Sequence, residues 1–312
     1  MPNVPSVDFS AGAADPATIA ALGATFESCG FVSLRGHGVP PAVIADAFAA
    51  AEEFFAAPEA VKRAVQNRAN NRGYVPMFDS ARPGEKPSGQ EAFSMGHPDR
   101  PEEPELRALP FHAETPFPAV PGFEARLTTC YRAMFAVGQA VLQAVARHLE
   151  VDPGFFDEAA AKTYSNMRVV HYPPAEAVVE TSDYGVVPHV DEGLITLLVQ
   201  DMNGGLSVLG PDGAWWPVVP DPEAIVINVG KLLHRWTGGR YAAALHQVVN
   251  RSGRERYSMP LFVHPSYHTV VDPMTLVGHR PAGEGFAPIV AGERVLANFK
   301  ARSKSWAEPQ PA

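Results

Sequence analysis

Pro188-His189-Val190-Asp191-Glu192-Gly193-Leu194-Ile195-Thr196-Leu197-Leu198-Val199-Gln200 decides the reading of this chain. Its second half is a short apolar run with β-branched residues, which reads as a buried strand. His189 and Asp191 stand at i and i+2. If strand spacing extends back through them, imidazole and carboxylate lie side by side on one face. A charged pair next to an apolar strand is costly unless something satisfies it.

Outward from that stretch, His246 lies in another run that reads as strand. Two imidazoles and one carboxylate on β-structure can occupy one face of an octahedral iron(II) ion, leaving positions for substrate and O2. The same residues also read as a surface His–Asp pair with His246 a separate core imidazole, and spacing alone leaves both readings open. Arg256 and Ser258 again stand at i and i+2. They read as a fork and a hydroxyl for a carboxylate, or as a strand arginine in a solvent ion pair. Tyr172 reads as a further carboxylate contact or as a core aromatic. Arg168, four residues earlier on the same candidate strand, shares its face and suits an anionic substrate or a nearby acid. His171, His234, His264 and His268 are rival imidazoles, but none forms an i, i+2 pair with a carboxylate. Glu192 is expected on the opposite face from the ligands.

From Asn166 onward, short Val/Ile/Leu/Tyr/Phe runs alternate with Gly, Pro, Asp and Asn turns. Candidate strands are Met167–Tyr172, Val187–Val190, Ile195–Gln200, Leu206–Leu209, Trp215–Val218, Ala224–Val229, His246–Val249, Arg256–Val263 and His268–Val271. Their spacing predicts a jelly roll of two sheets rather than alternating βαβ units. Lys231–Trp236 is expected to make a short helix within it. Before this region, Pro16–Ser28, a stretch opened by Pro40-Pro41, and Gly122–Glu150 show helical periodicity. The last is the longest and is expected to pack on the sheet. The fold class is therefore mainly β with an α layer. Residues 1–122 form a helical and loop region, and residues 123–312 the main helix plus the β core, with no linker long enough to part them.

The net charge of −9 argues against nucleic acid or anionic lipid as the main partner. Cys29 and Cys130 are far apart and fit buried free thiols in a reducing cytoplasm. No stretch approaches the ~20 apolar residues of a membrane span. Residues 1–10 lack the basic and apolar regions of a signal peptide. There is no phosphate-binding glycine loop, Cys-x-x-Cys or Gly-x-Ser-x-Gly.

Together these residues resemble the iron(II)- and 2-oxoglutarate-dependent dioxygenases, in the branch of isopenicillin N synthase and penicillin expandase. The resemblance spans nearly the whole chain. It includes Phe26-Glu27-Ser28-Cys29-Gly30-Phe31-Val32, Gly36-His37-Gly38-Val39, His189-x-Asp191, Gly204-Gly205-Leu206, Asn228-Val229-Gly230, His246, Arg256-Tyr257-Ser258 and Phe262. It implies a double-stranded β-helix core. His189, Asp191 and His246 become iron ligands, and Arg256, Ser258 and Tyr172 hold 2-oxoglutarate. It also implies O2-driven decarboxylation to succinate and an iron(IV)-oxo species that oxidises a small molecule by hydroxylation, desaturation or ring chemistry.

Lys231 stands where many relatives carry Asp, and Val170 where plant relatives often have Asn. Isopenicillin N synthase keeps the Arg-x-Ser pair without using 2-oxoglutarate, so an oxidase of that kind is the alternative. A non-catalytic β-barrel binding protein is the remote one. Substrate contacts are expected from Asn70–Phe78, Phe93–Met95, Arg168, Thr181–Val187, Phe262 and Phe299–Trp306, where Lys300, Arg302 and Lys304 form a candidate cationic cover. The expected substrate is natural-product or amino-acid-derived, and the protein a monomer or weak homo-oligomer.

Overall fold

The structure, a computed structural model, describes residues 3–66, 71–77, 89–174 and 185–302. The strands are β1 (Ser6–Asp8), β2 (Phe31–Arg35), β3 (Gly73–Val75), β4 (Glu91–Gly96), β5 (Asn166–Tyr172), β6 (Val186–His189) and β7 (Ile195–Gln200). They continue with β8 (Leu206–Leu209), β9 (Trp215–Pro217), β10 (Ala224–Val229), β11 (His246–Val248), β12 (Arg256–Val263), β13 (Val270–Val271) and β14 (Ile289–Val290). The helices are α1 (Pro16–Ser28), α2 (Pro41–Phe55), α3 (Glu59–Ala64), α4 (Pro104–Arg107), α5 (Phe123–His148), α6 (Phe155–Ala159), α7 (Lys231–Trp236), α8 (Pro273–Val277) and α9 (Ala291–Arg302).

The major sheet runs β1-β2-β10-β7-β12-β5-β4-β3 and the minor sheet β6-β11-β8-β9. This is the expected jelly roll with a helical layer. Strand parity builds both faces of the major sheet. Ile195, Leu197 and Val199 of β7, and Tyr257, Met259, Leu261 and Val263 of β12, pack into the core under the helices. Thr196, Leu198, Arg256, Ser258, Pro260 and Phe262, which alternate with them, line a cleft on the other face. The long helix α5 buries Leu127, Tyr131, Met134, Val141, Leu142 and Val145 at helical spacing against that core. Each such side chain contributes roughly 1.5–3 kcal/mol. Gly138 lets α5 lie close, since a Cβ there would come within 3.1 Å of Leu197 and 3.2 Å of Val263.

Two departures from expectation bear on the site. The strand carrying the first histidine is β6, Val186–His189, and it ends there. The chain leaves the minor sheet at that point and turns back to start β7 in the major sheet. Asp191 therefore sits in the corner between the sheets, not on a strand. No helix is expected near the C-terminus, yet α9 spans Ala291–Arg302. Ala291, Val295, Leu296 and Phe299 face the core from it, a sparse apolar signal in a charged stretch.

Candidate active site

The sheet register brings the three metal-ligand candidates together. β6 and β11 pair antiparallel with His246 opposite His189, and the corner after β6 supplies Asp191. One ligand atom from each of the three lies within 4.8 Å of the others, and this is the group suited to a metal among the described residues. His189 Nε2 lies 3.5 Å from Asp191 Oδ1, and His246 Nε2 lies 3.8 Å from Asp191 Oδ2.

The outer contacts orient these groups. His189 Nδ1 faces Val187 O at 2.9 Å and His246 Nδ1 faces Ala244 O at 3.3 Å. A carbonyl only accepts, so each Nδ1 holds the proton and each Nε2 offers its lone pair. Asp191 Oδ2 accepts from Thr196 Oγ1 at 2.6 Å and Asn228 Nδ2 at 2.9 Å. Its Oδ1 is left facing His189 Nε2. Burial by itself pushes the Asp191 carboxyl up. The His246 and His189 imidazoles and the Thr196 hydroxyl outweigh burial and hold it well below the ordinary carboxylate range. Burial pushes the His246 imidazole down to about 4 despite the nearby Asp191. An ionised carboxylate beside a neutral imidazole is the state a divalent cation requires. The donor set, N2O on one side with room opposite, fits iron(II).

Arg256 is the second fixed point. It is fully buried. Its Nε donates to Gly204 O at 2.6 Å, Nη1 to Ser258 Oγ at 3.2 Å and Nη2 to Gln200 Oε1 at 3.0 Å. The Tyr172 ring lies 4.7 Å from the guanidinium carbon. No carboxylate among the described residues lies within ion-pair reach of Arg256. A buried guanidinium without a counter-charge is expensive, so the geometry suits an incoming carboxylate.

Both centres line one cleft, together with Arg168, Phe262, Phe31, Gln90, Val170 and Leu198. The other two residues proposed for substrate contact do not line it. Phe93 packs against Phe54, Phe117 and Phe123, and Met95 is buried in the same core. The reason is parity: Glu91, Phe93 and Met95 point under the helices, while Ala92 and Ser94 face the other way. Phe299 packs on Phe111 with ring centres 5.5 Å apart. The expected contacts at 70, 78, 181–184 and 303–306 lie outside the described residues. Two of the rival histidines are held elsewhere. His171 Nδ1 faces Glu91 Oε1 at 2.9 Å, and His234 Nδ1 faces Tyr241 O at 2.6 Å.

No site role is expected from sequence for Thr196, Asn228, Gln200 or Gln90. A signal was present for Thr196 and Asn228. Each interrupts an otherwise apolar buried strand, and a polar side chain in such a place needs a partner.

Comparisons with known proteins give the family. The family model described as the 2OG-Fe(II) oxygenase superfamily matches residues 163–265, and that of the non-haem dioxygenase in morphine synthesis N-terminal region matches residues 4–119. The chain belongs to the 2OG-Fe(II) oxygenase superfamily. It is a mononuclear non-haem iron dioxygenase that requires iron(II), 2-oxoglutarate and O2. Among its relatives is the 2-oxoglutarate-dependent dioxygenase citB of Monascus ruber, 35% identical over 292 residues and covering 88% of both chains. The 2-oxoglutarate-Fe(II) type oxidoreductase hxnY of Emericella nidulans is 33% identical, with 83% of this chain and 78% of that one covered. A solved structure of a 2OG-Fe(II) oxygenase family protein from Caulobacter crescentus superposes with a TM-score of 0.82 at 29% identity, over 95% of this chain and 98% of that one. The relatives do not favour the alternative of an oxidase that dispenses with 2-oxoglutarate.

Proposed function

We propose that His189, Asp191 and His246 hold the iron, and that Arg256 and Ser258 grip the distal carboxylate of 2-oxoglutarate beneath the Tyr172 ring. The observation that carries this reading is the buried Arg256 guanidinium, which faces no acid among the described residues and lines the same cleft as the three ligands. Iron(II) with 2-oxoglutarate supplies activation of O2 for attack on a substrate C–H bond. The chain's own residues do the rest. Thr196 and Asn228 keep Asp191 ionised and aimed. Phe31 stands edge-on to His246 with ring centres 5.3 Å apart and shields it. The apolar lining excludes water.

The substrate is a small natural-product or amino-acid-derived molecule. Phe262, Leu198 and Pro260 suit its apolar body, and Arg168 suits an anionic or acceptor group on it. The finer likeness to the isopenicillin N synthase and expandase branch rests on the motifs quoted above. The protein acts as a monomer or weak homo-oligomer in the cytoplasm. In support, both cysteines are buried and free, and no helix among the described residues is long and apolar enough to cross a membrane.

The test is O2-dependent succinate release from 2-oxoglutarate with iron(II) and ascorbate, alone and with a panel of small acids and amides. His189→Ala should abolish it. Absence of succinate under every condition from metal-loaded protein overturns the reading.

A further inference from the structure

We propose that Glu192 is a positioning residue, tying the C-terminal helix α9 to the corner that carries Asp191 and so holding that carboxylate in place for the metal. The inference rests on the ligand assignment above. Asp191 lies off the strands, so no ladder holds its backbone. The corner is instead clamped onto the start of α7. Lys231 N donates to Asp191 O at 2.8 Å, and Leu232 N donates to Gly193 O at 3.1 Å. Gly230 permits this approach, because a Cβ there would meet Gly193 O at 2.1 Å.

The Glu192 side chain extends that clamp to the far end of the chain. It is only 9% exposed. Its Oε1 accepts from Lys231 Nζ at 2.6 Å and from Asn298 Nδ2 at 2.6 Å. Arg294 Nε lies 3.6 Å from Oε2. Arg294 and Asn298 are one turn apart on α9, so a single face of that helix addresses the carboxylate. The helix is itself anchored. Val295 is 1% exposed, Ala291 N donates to Thr269 O at 2.9 Å, and Gly292 N donates to Tyr267 O at 2.9 Å. Burying a carboxylate is costly, and removing one buried partner leaves the others unsatisfied. An unpinned corner is then free to swing the neighbouring Asp191 away from the two imidazoles. Partners outside the ligand set that orient ligands typically change metal affinity by about 10–100-fold.

The test is a titration of chelator-stripped full-length protein with cobalt(II), read by its visible ligand-field absorption. Thermal midpoints are measured alongside. Glu192→Ala is expected to weaken cobalt(II) binding about tenfold. Glu192→Gln should recover most of that, since its amide oxygen still accepts from Asn298 and Lys231. Asn298→Ala, which deletes one contact and leaves the carboxylate, should lie between. Leu22→Ala, in the distant core of α1, controls for lost stability and should bind cobalt(II) as the native protein does. Native-like binding by Glu192→Ala, or an equal loss in Leu22→Ala, overturns the proposal. Unchanged binding in His189→Ala would instead refute the ligand assignment beneath it.

Discussion

Replacing Arg256 by leucine should cripple 2-oxoglutarate binding while leaving the metal in place. A guanidinium has five N–H groups. Three are spent on Gly204 O, Ser258 Oγ and Gln200 Oε1. One N–H remains on each Nη, the parallel pair that a carboxylate takes in bidentate fashion. Ser258 accepts from Nη1 and so keeps its own hydroxyl proton to donate. Two charge-assisted hydrogen bonds at roughly 1.5–3 kcal/mol each come to about 3–6 kcal/mol. At 1.4 kcal/mol per factor of ten, the dissociation constant should rise by roughly two to four orders of magnitude. Arg256→Lys keeps the charge and loses the fork, so it should fall between the two. The assay is an anaerobic titration of iron(II)-loaded protein with 2-oxoglutarate, following the weak visible charge-transfer band. The reasoning is refuted if Arg256→Leu binds 2-oxoglutarate within about threefold of the native protein while its iron(II) affinity is unchanged.

Asn228→Ala deletes one of the two donors to Asp191 Oδ2. It should weaken iron(II) or cobalt(II) binding by about 10–100-fold, read by the same metal titration. Phe93→Ala opens a cavity among Phe54, Phe117 and Phe123. It should cost about 3–5 kcal/mol in denaturant unfolding with KM for the substrate unmoved, whereas Phe262→Ala should raise KM with little loss of stability. Glu91, behind the cleft, is raised by burial but lowered further by His171, Tyr74 and Lys62, so its carboxyl titrates below the usual range. A depressed folded-state value means its stabilisation is present above the unfolded pKa of about 4.3 and fades as pH falls through the folded value. The stability gap between native protein and Glu91→Gln, measured by urea unfolding from pH 7 downward, should shrink only on that acidic limb. A gap that widens toward acid refutes this account.

Much of the architecture was legible in the chain because it follows from period. The helical stripe of α5 is local, as is the alternation in β7 and β12, and short strands between turn residues point to two packed sheets. His189 with Asp191 and Arg256 with Ser258 stood out as candidates because residue type and i, i+2 spacing suit the chemistry, and His246 because it is an imidazole in a strand-like run. Parity failed at Phe93 and Met95. Nothing local says which face of β4 meets the cleft, because both faces are buried. The helix α9 was missed because only a few of its residues meet the core, and its other attachments are polar and distant in sequence.

Read alone, the chain therefore marked candidate side chains for iron and a dicarboxylate, through their chemistry, and predicted the jelly roll, through short-range periodicity. Only the tertiary structure decided how Asp191 is aimed. It placed Asp191 at a corner between two sheets, beneath Thr196 and Asn228, and set Glu192 against Asn298, more than a hundred residues away. Contacts of that range are set by how the sheets, α7 and α9 pack together, and no periodicity in the chain encodes them.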